Sequence, residues 1–84
     1  MPEWRIVVTH SFEKDFRNLG SDTRPRVLDA LQSLQSNPQA GRKLAAAKIG
    51  KWRIRIGDYR VRYDIIGNDV VLYRVRHRSR IYGG

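Results

Sequence analysis

Residues 51–80 read KWRIRIGDYRVRYDIIGNDVVLYRVRHRSR, with arginine at every second position through three successive runs. Arg53 and Arg55, then Arg60 and Arg62, then Arg74, Arg76, Arg78 and Arg80 alternate with mostly apolar or aromatic residues. Strand side chains alternate between faces with a period of two, so each run gathers its arginines on one side and its bulk on the other. The expected strands are Trp52–Ile56, Tyr59–Ile66 and 70–77. Gly57-Asp58 is a Gly-first two-residue hairpin signal, and it sets Arg55 opposite Arg60 and Arg53 opposite Arg62. Trp52, Ile54 and Ile56 then share the other face with Tyr59, Val61 and Tyr63. Like charges directly opposite are destabilising by up to about 1 kcal/mol, so this quartet calls for a counter-anion or a functional reason.

The second reversal, at Gly67-Asn68, admits two registers. A two-residue loop would put Arg74 and Arg76 on the apolar face, which is costly. A three-residue loop over Gly67-Asn68-Asp69 instead groups Val71, Tyr73 and Val75 with the core face and keeps the charges out, and it is the expected register.

Upstream of this meander, residues 4–9 (WRIVVT) form a β-branched run read as a strand. Ser11 is the expected N-cap of a helix carrying Phe12, Phe16 and Leu19 and stopped by Gly20. Asp22 or Thr23 caps a second helix, with Pro25 in its first turn and a stripe of Val27, Leu28, Leu31 and Leu34; Asn37-Pro38 ends it. Residues 39–50 are read as a connector. The expected fold is one α+β domain over residues 1–84: an N-terminal strand, an αα-hairpin, then a three-stranded antiparallel meander. Together these make a four-stranded sheet with the helices on one face.

The 84 residues carry 17 Lys+Arg against 8 Asp+Glu, a net charge of +9. Residues 1–41 hold five of each sign, so the surplus lies in the second half, where Asp58, Asp64 and Asp69 face twelve cations. Such asymmetry points to nucleic acid, anionic lipid or an acidic protein as partner. Lipid is the weakest of these, because the arginines follow a strand period and no basic amphipathic helix is visible. With no cysteine there is neither a disulfide nor a thiolate metal site. No metal or other cofactor is expected, nor a paired-carboxylate site or a nucleophile triad. No spanning segment or leader is expected either, consistent with a cytoplasmic protein.

The stretch Trp52-Arg53-Ile54-Arg55-Ile56-Gly57-Asp58-Tyr59-Arg60-Val61, continued by Arg62-Tyr63-Asp64-Ile65, resembles the WRIRxGDYRVxY signature of the RelE/ParE superfamily of type II toxin–antitoxin toxins. Val75-x-His77-Arg78 followed by Ile81-Tyr82 is similar to its VxHRxxxY ending, and the element order matches along nearly the whole chain. The resemblance implies, in the RelE branch, a ribosome-dependent endoribonuclease that cuts mRNA by attack of a ribose 2′-OH on the adjacent phosphate. In the ParE branch it implies a non-nucleolytic poison of DNA gyrase or another protein. Matched by position, Arg53 and Arg55 stand where the RelE branch has two lysines, Arg60 at a phosphate-binding arginine, Arg78 at a second catalytic arginine, and Tyr82 at a base-stacking tyrosine. That occupancy favours the RelE branch. Arg62, Arg76, Arg80 and Lys51 are expected to add RNA contacts. The expected partners are the ribosome, mRNA and a cognate antitoxin with an acidic or amphipathic segment wrapping this chain.

Arginine stays protonated in proteins, so Arg53 and Arg55 would stabilise charge on a scissile phosphate without serving as bases. His77 and Tyr82 are then the nearby groups able to move a proton, although His77 reads equally well as a solvated strand-end residue. Arg60→Ala and Arg78→Ala are each expected to abolish cleavage with the fold intact. A plain RNA-binding module is a third reading, marked by steep salt dependence and no product.

Overall fold

The computed structural model describes residues 4–81, with side chains through Ser79. The elements run β1 (Arg5–Val8), α1 (His10–Arg17), α2 (Thr23–Ser36), a 3₁₀ turn (Pro38–Ala40), β2 (Arg42–Lys43), β3 (Trp52–Ile56), β4 (Tyr59–Ile66), β5 (Asp69–His77) and a single-turn α3 (Arg78–Ile81). The strands form one mixed sheet in the order β1-β5-β4-β3-β2. The α+β class is as expected, but the sheet has five strands where four were expected. The extra strand, β2, is two residues long and pairs Arg42 with Arg53 and Lys43 with Trp52. So short a strand has no periodicity of its own; the β3 edge it borrows defines it.

β1 lies parallel to the first half of β5, from Arg5↔Asp69 to Val8↔Leu72. Thr9, not Ser11, caps α1. Its backbone is extended, and its hydroxyl accepts the Phe12 N–H at 3.2 Å while donating to the Leu72 carbonyl at 2.8 Å. One hydroxyl thus joins β1, β5 and α1, which is why the helix starts two residues earlier than its sequence suggests. In α2, Val27 and Leu34 are fully buried with Leu31 half-buried between them, whereas Leu28, expected in the stripe, is 52% exposed. Residues i, i+4 and i+7 share a helix face, and Leu28 falls beside it. These helical residues, with Phe12 and Leu19, close over Ile56, Val61, Tyr63, Val70, Leu72 and Val75. Trp4 and Trp52 are partly buried against that core.

Tyr63 pins the connector to the core. Its buried hydroxyl donates to the Pro38 carbonyl at 2.7 Å, and burial raises its pKa while the Gly41 N–H tempers the rise. Gly41 has to be glycine at this crossing: a Cβ there would overlap the Tyr63 hydroxyl and lie 2.7 Å from the Arg53 carbonyl oxygen.

The first hairpin has the expected register, Arg55↔Arg60 and Arg53↔Arg62. The second does not. It closes with a two-residue loop, Ile66↔Asp69, built on Gly67 at φ +60°. Tyr63 then faces Leu72 but Arg62 faces Arg74, so Tyr73 is an extra residue in β5. This β-bulge reverses the inward and outward phase partway along the strand. Val70 and Leu72, rather than Val71 and Tyr73, fill the core before the bulge, and Val75 does so after it. The arginines stay out of the core by a bulge, and the longer loop is not used.

Candidate nucleic-acid interface

The register stacks arginines across strands. One row runs Arg42, Arg53, Arg62, Arg74 over β2, β3, β4 and β5; the next runs Arg55, Arg60, Arg76 over β3, β4 and β5. The opposite pleats carry Ile54, Val61 and Val75 into the core, so the alternation read from the sequence is realised as a guanidinium face.

The arginines differ in how far they are committed to the protein itself. Arg60 is only 5% exposed, and its Nη1 donates to the Gly57 and Tyr59 carbonyls at 2.9 Å each. Its buried Nε meets no acceptor. Arg60 therefore fastens the β3–β4 hairpin, contrary to the expectation that the fold does not need it. Arg62 reaches the Gly50 carbonyl at 2.7 Å and the Ile49 carbonyl at 3.3 Å. From the same strand Asp64 accepts the Gly50 and Lys51 N–H groups at 3.0 and 2.6 Å. Together they clamp the loop that leads into β3, and Tyr73, its pKa raised by burial and then by Asp64, packs near Gly50.

At the other end of that row Arg74 is held by Asp15 of α1 at 2.8 and 3.0 Å, which raises its pKa. Asp15 also accepts the Val75 N–H at 3.2 Å and lies 3.8 Å from the Arg76 guanidinium. Past Leu72, β5 has no β1 partner, and Asp15 takes up a donor of that open edge. Arg55, Arg78 and Lys51 are exposed. Arg53 and Arg76 are half-buried. Arg78 opens α3, and its N–H donates to the Asp58 carbonyl at 2.7 Å, so the C-terminal turn lies against the Gly57-Asp58 hairpin.

His77 belongs to the other pleat. It pairs across from Tyr59, whose ring it meets edge-on at 5.6 Å between centroids. The Ser79 N–H, which can only donate, lies 3.3 Å from His77 Nδ1, so a neutral His77 carries its proton on Nε2. The register thus brings Arg53, Arg55, Arg60, Arg62 and Arg76 to one face and places His77 on the opposite pleat, where it meets Arg76 only at the edge of β5. Tyr82 and the Arg80 side chain lie outside the described residues. Among the described residues, no cluster of three His, Cys, Asp or Glu is placed to hold a metal. No helix among them is long and apolar enough to cross a membrane.

Sequence reasoning missed Arg42, Asp15 and Asp64. Arg42 is recognisable only once β2 is known. The two aspartates act across long sequence separations, which no local pattern records.

The family model for the ParE toxin of the type II toxin–antitoxin system parDE matches residues 6–82. Toxin RelE3 of Methanocaldococcus jannaschii is 30% identical over 83 residues, covering 93% of this chain and 94% of the relative. The toxin–antitoxin complex RelBE2 of Mycobacterium tuberculosis contains a chain that superposes with a TM-score of 0.81 at 27% identity, over 92% of this chain and all of that one. The RelB–RelE antitoxin–toxin complex of Methanococcus jannaschii gives a TM-score of 0.76 at 24% identity, over 92% and 95% of the chains, a likeness of fold.

Proposed function

We propose that this chain, which belongs to the ParE toxin family of type II toxin–antitoxin systems and is RelE-like within it, is an endoribonuclease that cleaves mRNA on the ribosome. The observation that carries this reading is the pair of stacked arginine rows, a concentration of positive charge suited to a polyanion. In the reaction the ribose 2′-oxygen bonds to the adjacent phosphorus as the bond from phosphorus to O5′ breaks. The products are a 2′,3′-cyclic phosphate and a free 5′-hydroxyl; the 2′-OH gives up its proton and the leaving oxygen gains one.

Arg55 and Arg78, both exposed and joined through the hairpin contact, hold the scissile phosphate and its developing charge. Arg53 and Arg76 flank them, with Arg62 and Lys51 further along the strand. Arg60 acts from beneath, by fixing the hairpin that carries Arg55. Tyr82 supplies the hydroxyl, and the remaining acceleration comes from alignment of the 2′-OH with the phosphorus. No metal or cofactor takes part. The protein acts where ribosomes and mRNA are, in the cytoplasm, and is restrained by a cognate antitoxin whose acidic or amphipathic segment covers the arginine face. The RelBE2 complex, a toxin seated with its antitoxin, supports that partner.

Primer extension on a message translated with the protein should show cuts in register with codons. Intact message together with undiminished translation overturns the reading.

A second reading is favoured by one observation, the burial of Arg60 within its own hairpin, which removes a phosphate ligand from the open face. It is a ParE-like toxin acting on DNA gyrase without nuclease activity. Accumulated gyrase–DNA cleavage complexes with whole mRNA would establish it.

A further inference from the structure

A cleft of about 630 Å³ lies between the last turn of α1 and the open edge of β5. Its walls include Lys14 and Asn18 from the helix and Tyr59, Arg76 and His77 from the sheet. We infer that this cleft is a second phosphate subsite, which takes an RNA phosphodiester beyond the one held on the arginine face. The inference rests on the RNA reading above and extends the substrate track around the edge of the sheet.

Charge supports it. Asp15 and Arg74 also line the cleft, but they neutralise each other at 2.8 and 3.0 Å, and Asp15 Oδ2 also accepts the Val75 N–H. Lys14 makes no hydrogen bond or ion pair among the described residues, and Arg76 has only a 3.8 Å contact to Asp15. Lys14 is thus left for an anion, and Arg76 stands between this cleft and the arginine face. With Nδ1 turned to the Ser79 N–H, His77 has Nε2 left to donate into the cleft, and the Asn18 side chain adds an amide donor. The helix end is not a bare acceptor surface, because the Asp15 and Phe16 carbonyls accept the Asn18 and Leu19 N–H groups at 3.1 Å each.

Continuity supports it as well. Arg76 belongs to the row of Arg55 and Arg60, so a strand lying along that row leads to this cleft. Its volume lies within the range of about 300–1,000 Å³ usual for ligand sites, ample for one nucleotide.

The test is fluorescence anisotropy with labelled 2′-O-methyl oligouridylates, which cannot be cleaved, comparing a dinucleotide with a hexanucleotide. The wild-type protein should bind the longer probe more tightly. Lys14→Ala and Asn18→Ala should each remove part of that gain and leave dinucleotide affinity unchanged. For the hexanucleotide, Lys14→Ala should lower the slope of log K against log salt by about 0.7, the value for one lost phosphate contact on a single strand. Arg24→Ala, a cation on α2 outside the cleft, should leave the slope unchanged. An unaltered slope in Lys14→Ala, or equal losses for both probes, overturns the subsite alone. Failure of the wild-type protein to bind either probe, with Arg55→Ala behaving identically, overturns the subsite and the RNA reading together.

Discussion

Asp15 holds Arg74 through two hydrogen bonds, at 2.8 and 3.0 Å, and in doing so ties α1 to the stretch of β5 that β1 does not reach. Asp15→Ala removes the two-point contact and the acceptor of the Val75 N–H. Arg74 is 37% exposed at its side chain, so solvent screening trims the loss, and about 1–2 kcal/mol is expected. Urea denaturation should show a lower midpoint at unchanged slope; an unmoved midpoint would mean that the contact contributes nothing.

Arg55 and Arg60 are directly paired, yet their truncations should behave differently. Arg55→Ala removes an exposed cation, so the melting temperature should hold while cleavage falls by about 100-fold, the scale of losing one donor to developing charge. Arg60→Ala strips two bonds from the hairpin and should cost about 2–3 kcal/mol of stability along with activity. Thermal melts beside single-turnover cleavage separate the two. Equal melts would show that Arg60 has no part in holding the hairpin.

Tyr63→Phe leaves the Pro38 carbonyl without its buried donor and should destabilise the fold by about 1–2 kcal/mol. Gly41→Ala should cost more, since its new methyl group competes with the same hydroxyl and with backbone. Chemical denaturation of the pair checks the order.

The Arg5–Asp69 pair stitches β1 to the start of β5 at 2.9 Å. The Arg5 hydrogen bond lowers the Asp69 pKa below its ordinary value. A carboxylate with a depressed folded-state pKa contributes stability above its unfolded value, near 3.9, and loses it as pH falls through the folded value. The difference in melting temperature between wild type and Asp69→Asn should therefore be present at neutral pH and vanish in strong acid. A difference that persists below both pKa values would assign the effect to something other than charge.

The first hairpin was readable to the residue because one turn type with Gly57 leading leaves a single register, and because its arginines all fall on the face opposite Ile54, Ile56 and Val61. The second resisted because Val70-Val71-Leu72-Tyr73 is apolar throughout: nothing in four successive apolar residues says which two point inward. The charges of Arg74 and Arg76 fixed the outcome of the later half correctly, and the bulge at Tyr73 met that demand by another route. The candidate site was legible as a row of arginines and illegible as a set of commitments. That Arg60 is buried, that Arg74 answers to Asp15 and that His77 turns away from the face follow from partners 59 or more residues distant, or from pleat and turn geometry that composition does not carry.

The stacked arginine rows also bear on how long the protein lasts. Like charges set side by side raise the free energy of the native state alone, since the extended chain keeps them apart. Any multivalent anion that settles on the rows, RNA or an acidic segment of a partner, removes that penalty and adds RT ln(1 + [L]/Kd) to the resistance against unfolding. Lifetime in the presence of proteases then becomes a readout of occupancy: the molecule is most perishable when it has nothing to hold.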